Sequence, residues 1–133
     1  MRTVLFACVH SAGRSQIAAA LFNHAVRRGA AVAIAAGTRP ADHVQPGVVE
    51  AMHEIGLDLS VVEPRLLTDE VARKADMIVS MGCKEQCPWV PGQDRLDWAV
   101  DDPKGRAPDE VRRIRDDIRA RVDELLREQG WAA

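Results

Sequence analysis

The chain has 133 residues, 47% of them hydrophobic and 29% charged, and a formal net charge of −2. This size is typical of one compact domain, and we expect residues 1–133 to form a single one. The nearly balanced charge argues against nucleic acid as the main partner, and no apolar run reaches the roughly 18 residues of a transmembrane helix. With no signal-peptide pattern before them, the cysteines Cys8, Cys83 and Cys87 favour a reducing cytoplasm, where cysteines are kept for chemistry.

Apolar runs and segments with helical spacing alternate along the chain. A continuous apolar run at residues 3–7 predicts a strand covered on both faces, and further buried strands are predicted at 30–36, 76–81 and 95–100. Helices are predicted at 15–28, at 46–56 with Pro46 in the first position, after an N-cap at Thr68, and from Pro108 onward. The residues around Trp131 are predicted to be a tail. This alternation predicts an α/β fold, a four-stranded parallel sheet with helices on both faces.

Three segments of chemical interest follow predicted strands. Cys8 follows the first strand, Cys83 the third, and the segment DDPKG at 101–105 the fourth. Ligands of such sheets bind beyond the carboxyl ends of the strands. We therefore expect the three segments to meet at this edge of the sheet, called the rim below.

The loop CVHSAGRS, residues 8–15, predicts a site for a tetrahedral oxyanion. A strand-to-helix loop turns successive N–H groups inward, so the predicted substrate-binding residues are Val9, His10, Ser11, Ala12, Gly13 and Arg14. Gly13 is expected to take a positive φ, Ala12 to permit close approach, and Arg14 to match two anion oxygens. The helix dipole and Arg14 favour a thiolate at Cys8, to which Ser15 can donate, so Cys8 is the predicted nucleophile. The alternative, a core thiol beside a surface arginine, does not account for Cys-x5-Arg-Ser between strand and helix.

Asp102 is the predicted general acid. Pro103 excludes helical backbone at the preceding residue, so Asp102 is extended or in a turn at a strand end, where its carboxyl group can protonate a leaving oxygen. An ordinary turn at Asp101 and Asp102 is the alternative interpretation. Together with the Cys8 loop, the position before proline favours Asp102 over Asp101 as a catalytic residue.

The segment CKEQC places two more thiols after the third strand. If Cys8 must be released from a bound atom, Cys83 can attack it and Cys87 can then take over the disulfide. Residues four apart on a helix are about 5–6 Å apart at Cβ, too far for a disulfide, so a helical segment would have to distort. A structural metal site is the alternative, but no histidines stand at ligand spacing and no metal is expected. Two incidental thiols are the other alternative.

The chain resembles the arsenate reductases built on the low-molecular-weight protein tyrosine phosphatase fold. The resemblance extends from TVLFACVHSAGRSQIAAALF through AAGTRP, GLDLS, ADMIVSMGC and WAVDDPKG to the last helix. It implies that Cys8 attacks arsenate held by the loop and Arg14, that Asp102 protonates the departing oxygen, and that phosphate or sulfate mimics the substrate. It also implies a relay through Cys83 and Cys87 to thioredoxin, or reduction by mycothiol with mycoredoxin or by glutathione, with no bound cofactor.

This chain departs from the thioredoxin-linked relatives at three positions. Those relatives hold potassium beside the loop with Asn, Glu and Ser where this chain has Ser11, Ala19 and Ala35, so we expect no potassium role here. A low-molecular-weight tyrosine phosphatase is the second hypothesis, although the chain has no tyrosine, and such phosphatases usually carry tyrosines beside the Asp-Pro turn. A non-enzymatic oxyanion or redox sensor is the third.

Overall fold

The computed structural model describes residues 1–82 and 90–133, so Cys83 and Cys87 lie outside the described residues. Strands and helices alternate in the first half of the chain, and a long helix closes it. In chain order the elements are β1 (Arg2–Cys8), α1 (Arg14–Ala25), β2 (Ala31–Gly37), α2 (Pro46–His53), α3 (Asp69–Lys74), β3 (Met77–Ser80), β4 (Asp94–Asp97) and α4 (Pro108–Gln129).

The four strands form one parallel sheet, as predicted, and the structure shows that their order is β2-β1-β3-β4. β1 lies between β2 and β3, and Phe6 pairs with Ala35 on one side and Val79 on the other. The chain therefore moves outward in opposite directions from β1, and the switch point lies beside its carboxyl end. Cys8 is the last residue of β1, opposite Gly37.

The edge strand β4 is largely exposed, so the prediction that it is buried was wrong. Apolar side chains cover both faces of the inner strand β1, because alternate residues of a strand point to opposite faces. On one face, Val4 and Phe6 belong to a core that includes residues of α1, α2 and α4. On the other, Leu5 and Ala7 pack with Ala72 of α3 and its neighbours. The predicted arrangement of helices on both faces is confirmed. No helix in the described ranges is long and apolar enough to span a membrane.

Three predicted boundaries were wrong. Helix α2 ends at His53 instead of residue 56, because the chain turns at Gly56, which has φ +84° and donates its N–H to the His53 carbonyl. β4 ends at Asp97 instead of residue 100, because its neighbour β3 ends at Ser80, whose carbonyl accepts from Trp98 N at 2.8 Å. Helix α1 ends at Ala25, well before Arg28, because Val26 is extended and bridges Ala132.

The C-terminus is also not a free tail. The ring of Trp131 packs against Phe22 with 6.0 Å between the ring centroids. The N–H of Arg27 donates to the carbonyl of Trp131 at 2.7 Å. These contacts attach the last residues to the end of α1.

Candidate active site

The loop after β1, residues 8–14, has its carbonyl groups turned outward; we call it the oxyanion loop. The N–H groups of Thr38, Arg39, Ala41 and Gln45 donate to the carbonyls of Cys8, Val9, His10 and Ala12 at 2.8–3.2 Å. Among the hydrogen bonds found between described residues, none has an N–H of residues 9–13 as donor. The segment that follows β2 thus holds the loop so that its N–H groups are left for an anion.

The first turn of α1 adds to this positive potential. The helix begins at Arg14, and neither a side-chain cap nor an acidic residue occupies its first turn. An uncapped helix N-terminus carries partial positive charge and free N–H groups. Its open end therefore favours an anion within the loop.

Ser11, rather than Gly13, takes the positive φ in this loop. Ser11 has φ +50°, whereas Gly13 has φ −140°, so the expectation for Gly13 was wrong. Space at position 13 is tight, since a Cβ there would lie 3.1 Å from Pro103 Cγ and 3.2 Å from Gln45 Nε2, and these side chains would have to shift slightly to accept it. The Asp-Pro segment thereby packs directly on the oxyanion loop.

A buried network holds Ser11 in its left-handed conformation. Gln16 Nε2 donates to the Ser11 carbonyl at 2.9 Å and to Ser11 Oγ at 3.1 Å. Arg65 N donates to the same Oγ at 3.3 Å. Because a non-glycine residue in this region is strained, these hydrogen bonds stabilise the shape of the loop. The sequence reasoning gave no such role to Gln16 or Arg65.

Cys8 lies at the base of the oxyanion loop with Ser15 beside it. The Cys8 side chain is buried, and its Sγ donates to Ser15 Oγ at 3.0 Å. Ser15 is itself fully buried. A serine hydroxyl can reverse its role and donate when the thiol has lost its proton, so this contact can serve both forms of Cys8.

Arg14 and Asp102 meet at the mouth of the loop. Arg14 Nη1 donates to the Val100 carbonyl at 3.2 Å, and Nη2 lies 3.7 Å from Asp102 Oδ2. The other Asp102 oxygen accepts from Lys104 N at 3.0 Å. The Asp102 side chain is 43% exposed against 12% for Arg14, so the acid has access to water while the guanidinium is enclosed.

The imidazole of His10 contacts the segment that follows β2. Its Nδ1 lies 3.1 Å from the Arg39 carbonyl, which can only accept, so this nitrogen carries the proton. The imidazole therefore ties the oxyanion loop to the segment after β2.

A second acidic residue at the rim pairs with a serine. The Ser80 hydroxyl donates to Asp97 Oδ1 across the ends of β3 and β4. This hydrogen bond, with the nearby Arg95 guanidinium, lowers the pKa of Asp97 below its ordinary value. Both residues line a cavity of about 320 Å³ that also touches Gly82 and Val100. No pattern in the sequence predicts this pair, because it depends on how the two strands are aligned.

Of the predicted site residues, the structure brings together the oxyanion loop, Ser15 and Asp102. The two further cysteines lie outside the described residues, so the relay stays a prediction. In the described ranges, no group of three or more His, Cys, Asp or Glu side chains is placed to hold a metal ion.

Comparison with known proteins shows the family to which this chain belongs. The family model for low molecular weight phosphotyrosine protein phosphatase matches residues 3–130. A putative arsenate reductase of Halobacterium salinarum is 40% identical over 127 residues, which are 92% of this chain and 89% of the relative.

Solved structures of arsenate reductases are also similar to this chain. A thioredoxin-dependent arsenate reductase of Corynebacterium glutamicum is 38% identical with a TM-score of 0.84 over 98% of this chain, which spans only 62% of that protein. An arsenate reductase in the phosphate binding state is 25% identical with a TM-score of 0.81, covering 96% of this chain and 98% of its own. The chain belongs to the low molecular weight phosphotyrosine protein phosphatase family.

Proposed function

We propose that this protein is a cytoplasmic arsenate reductase, in which Cys8 attacks the arsenic of bound arsenate. One observation carries the proposal: the buried Cys8 sulfur lies at the base of a loop whose carbonyls are bonded outward. The relatives named as arsenate reductases support arsenate over other oxyanions.

In the first step the loop and Arg14 hold arsenate above the sulfur. The N–H groups of residues 9–13 and the guanidinium bind its oxygens, and the Cys8 thiolate forms a bond to As(V). One arsenic–oxygen bond breaks, and Asp102 donates the proton with which that oxygen leaves as water. Asp102 is placed for this role because its carboxyl group lies at the mouth of the loop, 3.7 Å from the guanidinium that holds the oxyanion, and its exposed side chain can take up a proton from solvent.

In the second step a thiol attacks the Cys8 sulfur. A disulfide forms, the electron pair of the sulfur–arsenic bond stays on arsenic, and As(V) leaves as As(III) in arsenite. We assign this attack to Cys83, after which Cys87 attacks Cys83 and releases Cys8. Two electrons from an external thiol system then reduce the Cys83–Cys87 disulfide.

The external reductant is proposed to be thioredoxin, on the strength of the thioredoxin-dependent relative. Mycothiol with mycoredoxin, or glutathione, is the alternative, in which the small thiol attacks Cys8 and the two further cysteines are dispensable. Variants of Cys83 and Cys87 distinguish the two routes, because only the thioredoxin relay requires these cysteines.

The test is NADPH consumption by the purified protein with arsenate, driven either by thioredoxin and its reductase or by mycothiol, mycoredoxin and a mycothiol disulfide reductase. We expect turnover with thioredoxin that is lost in Cys8→Ser and in Cys83→Ser. Turnover by Cys83→Ser with the small-thiol system alone would contradict the relay. Hydrolysis of an aryl phosphate without arsenate reduction would identify a phosphatase, and neither activity would favour a sensor.

A further inference from the structure

Gly82 lies directly against the guanidinium of Arg14. It follows β3, with only Met81 between them, and has φ +92°. A Cβ at this position would lie 2.5 Å from Arg14 Nη1, 2.9 Å from Cζ and 3.0 Å from Nη2. Real Cβ atoms are almost never this close to other atoms, so no side chain fits here while Arg14 keeps its position.

The guanidinium of Arg14 also contacts the chain that follows β4. Nη1 donates to the Val100 carbonyl, and Nη2 borders the Asp102 carboxylate. The backbone at Gly82 and the chain from Val100 to Asp102 therefore form a slot for the guanidinium, whose side chain is only 12% exposed. The neighbours of Arg14 in this slot come from the segments that follow β3 and β4, outside the oxyanion loop.

We propose that Gly82 is a positioning residue that sets the orientation of Arg14 toward the oxyanion. This inference rests on the proposed function, since it concerns the same anion site. The far end of an arginine is flexible, so a methyl group at position 82 would be accommodated by moving the guanidinium. A guanidinium that has left its slot loses the two-pronged geometry that matches a tetrahedral oxyanion. The consequence is weaker oxyanion binding rather than loss of the fold.

Gly92 provides a matched control. Its φ is +90°, almost the same as that of Gly82, but a Cβ there would meet no atom within 4 Å. Gly82→Ala and Gly92→Ala therefore impose similar backbone strain, and only the first displaces Arg14. Asparagine tolerates positive φ better than alanine, so Gly82→Asn and Gly92→Asn form a second pair should the alanine variants not fold.

The experiment is calorimetric titration of each variant with inorganic phosphate, together with thermal denaturation. We expect Gly82→Ala to raise the phosphate Kd about tenfold, the factor for weakening one charge-assisted hydrogen bond, and Gly92→Ala to change it less than twofold. The Tm should fall by similar amounts in both. Equal Kd values for wild type and Gly82→Ala, or equal effects in the two variants, would overturn the role of Gly82.

The outcomes also separate this inference from the proposed function. If the wild type binds phosphate and the Gly82 effect is found but arsenate is not reduced, the reductase proposal fails and the role of Gly82 stands. If the wild type does not bind phosphate, the oxyanion site is refuted and the role of Gly82 with it.

Discussion

Replacing Ser11 tests whether the buried network holds the oxyanion loop in place. Ser11→Ala removes an oxygen that accepts from Gln16 Nε2 and from Arg65 N. Gln16 keeps the Ser11 carbonyl as an acceptor, so the main loss is the partner of the Arg65 amide. An unsatisfied, partly buried donor costs about 1–3 kcal/mol, and because Gln16 retains an acceptor, we expect a loss of about 1.5 kcal/mol.

Ser11→Gly distinguishes the contribution of the hydroxyl group to stability from that of the left-handed backbone. It removes the same oxygen but relieves roughly 1–2 kcal/mol of left-handed strain, while glycine costs about 0.5–1 kcal/mol in backbone entropy. The glycine variant should therefore be more stable than the alanine variant by roughly 0.5–1 kcal/mol.

Urea denaturation of the three proteins measures both differences. We expect the order wild type, Ser11→Gly, Ser11→Ala, with unchanged slopes. An alanine variant as stable as wild type would mean that the network contributes nothing. A glycine variant less stable than the alanine variant would contradict the left-handed conformation of Ser11.

Three further changes have distinct expected results. Asp102→Asn should slow arsenate turnover by about 10²-fold, a typical cost of losing a general acid. Phosphate binding measured by calorimetry should stay equal or tighten, because a negative charge near Arg14 is removed. Weakened phosphate binding would instead assign Asp102 to substrate binding. Arg115→Met should lower the free energy of unfolding in urea by on the order of 2 kcal/mol. The buried Arg115 donates to Ala51 O at 2.7 Å and to Glu54 Oε1 at 3.0 Å. Arg113→Met, at an exposed position, is the control and should have a near-zero effect. Ser80→Ala should raise the pKa of Asp97 toward its ordinary value, as followed by NMR titration. Because the pKa is lowered in the folded state, the hydrogen bond stabilises the fold above the unfolded-state pKa of about 3.9, and this stabilisation disappears as pH falls through the folded-state pKa. Wild type and variant should therefore converge in stability below that range.

The parallel sheet and the oxyanion loop could be predicted from local sequence. Buried strands leave continuous apolar runs, and the Cys-x5-Arg-Ser spacing places a thiol and a guanidinium at one strand-to-helix turn. The proline after Asp102 likewise restricts the backbone in a way that the sequence alone reveals.

The remaining features depend on contacts between distant segments. The positive φ was assigned to Gly13 because glycine adopts it most easily, but Ser11 adopts it with support from Gln16 and Arg65. The slot for Arg14 forms only when the segments that follow β3 and β4 meet α1. The sequence alone therefore does not indicate a role for Gly82 beyond its position after a strand. The relay of Cys83 and Cys87 stays a prediction from the sequence.

Alkylation with iodoacetamide, followed by peptide mass spectrometry, tests whether the Cys8 sulfur lies beneath a bound oxyanion. The protein is labelled at neutral pH with arsenate, with phosphate, or with chloride at equal ionic strength. We predict that Cys8 is labelled in chloride and that both oxyanions slow this labelling with a saturable dependence on concentration. Labelling of Cys8 at the same rate in all three solutions would contradict the account.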